Sequence, residues 1–168
     1  MPTGPSLSST PARSPSRKSP LTREACGFWT REKLRNADTD QFLHVNNAVI
    51  STLLEAARME ILADETLKAS MAGKIVVVAH LSIDFLSEVY FPGSVEIGSG
   101  TLNVGRTSFE FAQGLFVGAQ CCASARAVCV LIDVERREPS VICDAIRAHL
   151  LKGAVSLSGA SVSTAPAR

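Results

Sequence analysis

The chain has 168 residues, 46% of them hydrophobic, which suffices for one substantial buried core and points to one domain. Lys and Arg number 17 against 16 Asp and Glu, a net charge of +1, so no overall field draws the chain to nucleic acid or to an acidic membrane, and neither is expected as a partner. Its 5 cysteines are odd in number and form no C-x-x-C pair, which suits reduced thiols in a cytoplasmic protein, and no apolar run reaches the roughly 18–20 residues that span a bilayer.

Residues 1–20 hold 5 of the 8 prolines and 6 serines, with Arg13, Arg17 and Lys18 and no acidic residue. They share the acid-free, Ser/Arg-rich character of an organellar transit peptide, but the prolines forbid its amphipathic helix, so a disordered tail is expected. A folded domain is expected over 21–152, with a second loose tail, rich in Ala, Ser, Val and Gly, over 153–168. Ala25 to Arg35 reads as a first strand. The series Val49, Ile50, Leu53, Leu54, Ala57 and Ile61 then recurs at helical spacing, predicting a helix from Asn46 or Asn47 to Leu62 or Lys68. Ile75 to Val89 predicts a strand with Val77, Ala79, Leu81, Ile83 and Phe85 on one face and Val78, His80, Ser82 and Asp84 on the other. Pro92-Gly93 marks a turn, and strands follow over Val95–Val104, Ser108–Val117 and Cys121–Val134, with a short helix over Val141–Leu150. Helices do not alternate with the later strands, so the class is α+β, with one curved sheet wrapped around one long helix.

The residues richest in chemistry precede that helix. Asp38 and Asp40, then His44, Asn46 and Asn47, fall within ten residues. The N–H groups of a first helical turn lack intrahelical acceptors and sit at the positive end of the dipole, so they can hold an anion or a polarised carbonyl oxygen. A carboxylate beside such donors is the minimal equipment for hydrolysing an acyl group. No spaced set of Cys and His ligands and no G-x-S-x-G is present, so neither a metal nor a serine triad is expected.

Asp38-x-Asp40-x-x-x-His44-Val45-Asn46-Asn47-Ala48, followed by Glu55-x-x-Arg58, resembles the signature of the 4-hydroxybenzoyl-CoA thioesterase family of hotdog-fold acyl-CoA thioesterases. Ile83-Asp84-Phe85, Gly105-Arg106-Thr107-Ser108 and Arg136-Arg137-Glu138-Pro139 continue the resemblance, which covers roughly residues 25–150. Family members usually carry glycine before the histidine, where this chain has Leu43. The resemblance implies a hotdog fold: a curved antiparallel five-stranded sheet around one long helix, closed by a short C-terminal helix. It implies an acyl-CoA substrate, no bound cofactor, and a homodimer joined through a continuous sheet, often doubled to a homotetramer, with active sites at the subunit interface. It further implies that Asp40 acts as nucleophile or general base, and that the thioester carbonyl docks on the backbone N–H of Asn47.

The remaining residues have narrower expectations. Asp38 serves the loop or pairs with Arg35 or Arg58, and Asn46 is the N-cap of the helix and a substrate neighbour. His44 tunes Asp40, contacts substrate or braces the loop. Thr107 and Ser108 approach the substrate across a subunit interface, or only shape their hairpin. Glu55, which can pair with Arg58 at i, i+3, is the reserve catalytic carboxylate, because some hotdog thioesterases use one on the helix. Two alternatives are weighed. A hotdog hydratase needs four residues between its aspartate and histidine, whereas three separate Asp40 from His44. An acyl-CoA-binding hotdog module without turnover would have no need of Asp40.

Overall fold

A computed structural model describes residues 21–155; the expected tail over 1–20, and residues 156–168 of the other, lie outside the described residues. A short turn of helix at Arg23–Ala25 leads into β1 (Phe28–Lys33), and a second at Asn36–Asp38 opens the loop before the long helix α1 (Asn47–Leu62). A one-turn helix α2 (Lys68–Met71) precedes β2 (Lys74–Phe85), β3 (Ser94–Val104), β4 (Ser108–Val117) and β5 (Gln120–Asp133). A two-residue strand β6 (Glu138–Pro139) and helix α3 (Asp144–Leu151) complete the chain. The five long strands lie in the order β1-β3-β4-β5-β2, with every pairing antiparallel, and β6 adds a short pairing to β5. The curled sheet closes around α1, the hotdog arrangement.

Helix α1 forms where it does because Asn46 caps it, its side chain accepting the N–H of Ala48 at 2.9 Å. Its buried apolar residues, Ile50, Leu54, Ala57, Ile61 and Leu62, follow the three- and four-residue spacing and divide between two clusters. One gathers Ile50, Leu54, Ala57, Val95, Ile97 and Leu115 near the start of the helix. The other gathers Ile61, Leu62, Phe109, Phe111, Leu131 and Ile146 near its end. A buried polar layer crosses the helix–sheet interface beside them: Arg58 Nη1 donates to Gln113 Oε1 at 2.6 Å, and Gln113 Nε2 donates to the Leu54 carbonyl at 2.9 Å and to Ser99 Oγ at 3.0 Å. Burial holds the Arg58 guanidinium below its ordinary pKa.

Four expectations need correction. The alternation expected along β2 breaks at a bulge between Val78 and His80. Before it Val76 packs inward and Val77 is exposed; after it Leu81 and Ile83 pack inward, because one extra residue swaps the faces of a strand. The strand ends at Phe85 instead of Val89, since the N–H groups of Leu86 and Ser87 both turn to the carbonyl of Cys122. Arg58 is not paired with Glu55: it lies four residues after Leu54 and three before Ile61, on the buried face, while Glu55 is exposed. Finally, α3 starts at Asp144 and not Val141.

Residues 153–155, expected in the C-terminal tail, lie along β3. Thr101 N–H donates to Gly153 O at 2.8 Å and Val155 N–H to Thr101 O at 2.9 Å. A Cβ on Gly153 would stand 2.0 Å from the Phe28 ring, so any side chain there must displace that ring.

Candidate active site

Asp40 sits in a loop pinned from both sides. The Asp40 N–H donates to the His44 carbonyl at 2.8 Å and the Leu43 N–H donates to the Asp40 carbonyl at 3.1 Å, closing a tight turn. Within it Asp40 Oδ1 accepts the N–H groups of Phe42 at 2.8 Å and His44 at 3.2 Å, while Oδ2 has no hydrogen-bond partner among the described residues. The turn demands a left-handed residue, and Leu43, the position where the resembling family carries glycine, takes φ +65°. Asp38 caps the preceding turn, its Oδ2 accepting the N–H of Arg35 at 2.7 Å, not the guanidinium of Arg35 or Arg58.

Beyond the turn the chain is anchored for entry into α1. Asn46 N–H donates to Asp38 O at 2.9 Å and Val45 N–H to Val89 O at 2.8 Å. Asn47, the first residue of α1, has an N–H with no acceptor among the described residues, as expected of a first helical turn.

These groups converge on one open cleft of about 380 Å³. Its walls are the loop and first helical turn, with Asp40, His44, Asn46, Asn47 and Ile50, and the connection after β2, with Phe85, Ser87 and Glu88. The structure therefore brings Asp40, His44, Asn46 and Asn47 together. It leaves Glu55 exposed on α1 and outside the cleft walls. Thr107 and Ser108 are also elsewhere within the chain. Ser108 pairs with Val130, whereas Phe85 at the cleft pairs with Ala123, seven residues earlier on β5, roughly 23 Å at about 3.3 Å per residue.

Sequence reasoning missed Glu88 and Tyr90. Glu88 Oε1 stands 3.8 Å from His44 Nδ1, and its Oε2 accepts the Tyr90 hydroxyl, which holds the phenol above its ordinary pKa. The Tyr90 ring meets His44 edge-on, 4.8 Å between centroids. The signal was a carboxylate and a phenol following the last inward residues of a strand, but only tertiary pairing carries them to the helix N-terminus. Among the described residues no group of three or more His, Cys, Asp or Glu is arranged to hold a metal ion.

The family profile described as the thioesterase-like superfamily matches residues 34–150, more than half of the chain. The chain belongs to the thioesterase-like superfamily. It is a thioester hydrolase. Solved structures similar to this thioesterase-like chain include the PA5185 protein of Pseudomonas aeruginosa PAO1, with 26% identity over 80% of this chain and 96% of that one and a TM-score of 0.74. A predicted thioesterase from Bacillus stearothermophilus shares 27% identity over 76% and 96%, with a TM-score of 0.69. A thioesterase from Thermus thermophilus, complexed with coenzyme A and Zn, shares 27% identity over 77% and 98%, with a TM-score of 0.66. No curated protein matches the chain.

Proposed function

We propose that the protein hydrolyses an acyl-CoA thioester to the free acid and coenzyme A, in the manner of the 4-hydroxybenzoyl-CoA thioesterase family that its loop resembles. The observation that carries this is the convergence on one cleft of the Asp40 carboxylate, with Oδ2 unengaged, and the unpaired N–H of Asn47 at the start of α1. The N–H polarises the thioester carbonyl and stabilises the oxyanion. Asp40 activates water or attacks the carbonyl carbon itself. A thioester suits so sparse a site, because its carbonyl has little resonance stabilisation and its thiolate leaves readily. The coenzyme A bound to the Thermus relative supports a coenzyme A thioester as the substrate class.

The exposed edge of the sheet supports a homodimer. Strand β2 is twelve residues long, pairs with β5 on one side only, and exposes Ile75, Val77 and Val78. A long apolar edge is normally paired or covered, and a second copy joined edge to edge covers it. In such a dimer the only route by which Thr107 and Ser108 reach a cleft is from the partner subunit.

Two substitutions test the mechanism on a panel of acyl-CoAs. Asp40→Asn keeps the shape and the turn but removes the charge, and it is expected to lower kcat by about 10²–10⁴-fold. Asn47→Ala should leave kcat near that of the wild type, whereas Asn47→Pro deletes the N–H at a position where helices tolerate proline and should cost about 10²–10³-fold. Near wild-type turnover by Asp40→Asn while Glu55→Gln is inactive would transfer the carboxylate role to Glu55.

A further inference from the structure

His44 is held by the connection between β2 and β3 in a way that the roles of Asp40 and Asn47 do not require. Its backbone forms an antiparallel bridge with Tyr90, its ring abuts the Tyr90 ring, and its Nδ1 faces Glu88 Oε1 at 3.8 Å, within ion-pair range but longer than a hydrogen bond. The Tyr90 hydroxyl occupies the other oxygen of Glu88, so the carboxylate bridges phenol and imidazole. Glu88 sees Nδ1, which leaves Nε2 as the free end of the ring on a residue that lines the cleft. Asp40 on the loop and Glu88 and Tyr90 on the connection are the titratable groups that line the cleft or touch this imidazole. Helix α1 brings only the uncharged Asn46, Asn47 and Ile50 to the same walls.

Thioester hydrolysis needs two proton movements. Water loses a proton as it attacks, and the sulfur, although its thiolate can leave unaided, ends as a thiol and departs faster when an acid delivers the proton as the bond breaks. We propose that His44 is the acid for the second step and that Glu88 is the positioning residue that aims its imidazole. This rests on the reading of Asp40 as the group that activates water. Water adds to the carbonyl carbon and gives its proton to Asp40. The tetrahedral intermediate then collapses, the C–S bond breaks with its electron pair going to sulfur, and Nε2–H of His44 protonates the sulfur. The products are a carboxylic acid and a thiol, and the proton on Asp40 returns to His44 through solvent, so nothing is consumed beyond water. A carboxylate beside one ring nitrogen fixes the orientation of the ring and with it which nitrogen faces the substrate.

The test compares two leaving groups with one acyl group: the acyl-CoA that the wild type hydrolyses fastest, and the p-nitrophenyl ester of the same acid, whose phenolate departs without protonation. His44→Gln is expected to lower kcat on the acyl-CoA by about 10²-fold, the lower end for acid catalysis, and Glu88→Gln by about tenfold. Both should turn over the ester within a few-fold of the wild type. The Glu88 side chain is 61% exposed, so the variant should fold, which its thermal unfolding midpoint checks. Equal losses on both substrates would overturn the proposal. Asp40→Asn separates the two readings. It should lower hydrolysis of thioester and ester alike by about 10²–10⁴-fold, and if it spares both, the role of Asp40 fails while the leaving-group contrast at Glu88 is still read by itself.

Discussion

Leu43 offers a direct check on the path of the loop that holds Asp40. A left-handed conformation costs an L-residue about 1–2 kcal/mol, and Leu43 holds φ +65° with 65% of its surface exposed. Leu43→Gly relieves that strain, but it loosens the unfolded chain by about 0.4–1 kcal/mol and forfeits the buried third of the side chain, about 0.5–1 kcal/mol of the roughly 1.5–3 for full burial. The net change from the wild type is therefore close to zero. Leu43→Ala forfeits a similar contact and keeps the strain, so glycine should exceed alanine by about 1 kcal/mol, the reverse of their order inside a helix. For a chain of this size that is a difference of about 2–4 °C in Tm, measurable by scanning calorimetry and checked by urea unfolding with an unchanged slope. Because glycine favours the same path, Leu43→Gly should also keep its acyl-CoA hydrolysis rate. An alanine variant as stable as the glycine variant would show that residue 43 is not left-handed, and the turn around Asp40 would need another geometry.

Truncation to residues 21–155 should leave Tm and the hydrolysis rate unchanged, whereas Gly153→Ala in the full chain should cost about 1–3 kcal/mol by driving a methyl group into Phe28. Arg58→Met should cost about 1–3 kcal/mol by stranding Gln113 Oε1, and adding Gln113→Leu should restore part of it, a coupling that a double-mutant cycle on urea unfolding reports. Val77→Lys, on the exposed edge strand, should abolish the proposed dimer in sedimentation velocity; a monomeric wild type would remove the edge-to-edge pairing.

The elements were legible where one period ran unbroken. Helix α1, with its cap at Asn46, and strands β3, β4 and β5 lie within one or two residues of the ranges that periodicity predicts. Strand β2 misled because a bulge leaves alternation intact on either side and only exchanges the faces, so Val77 and Leu81 read as neighbours on one face when they are not. Arg58 misled through its charge: its spacing from Leu54 and Ile61 already put it on the buried face, and the partner that makes burial tolerable, Gln113, is fifty-five residues away. Half of the site was legible for the opposite reason, since Asp40, His44, Asn46 and Asn47 are local in sequence. Glu88 and Tyr90 were not, because no spacing rule links a strand end to a loop more than forty residues earlier.

That division explains how the cleft keeps its geometry. The loop alone is a short turn held by the Asp40 carboxylate and a strained Leu43, and it would not by itself fix the distance from a carboxylate to a helix N-terminus. Two cross-links supply the reference frame: the bond from Val45 N–H to Val89 O joins the loop to the connection after β2, and the bond from Gln113 Nε2 to the Leu54 carbonyl joins α1 to β4. The first sets where Asp40 and His44 stand relative to Glu88. The second sets how far α1 slides along the sheet, and with it where the Asn47 N–H stands at the cleft. Gln113 touches no wall of the cleft, yet it is fully buried and its loss leaves Arg58 unanswered, so its replacement is expected to shift the helix before it unfolds the core. A misplacement of about 1 Å between attacking group and carbonyl is enough to lower turnover by about 10²-fold. The buried polar layer that separates the two halves of the core is thus also what aligns the two halves of the site.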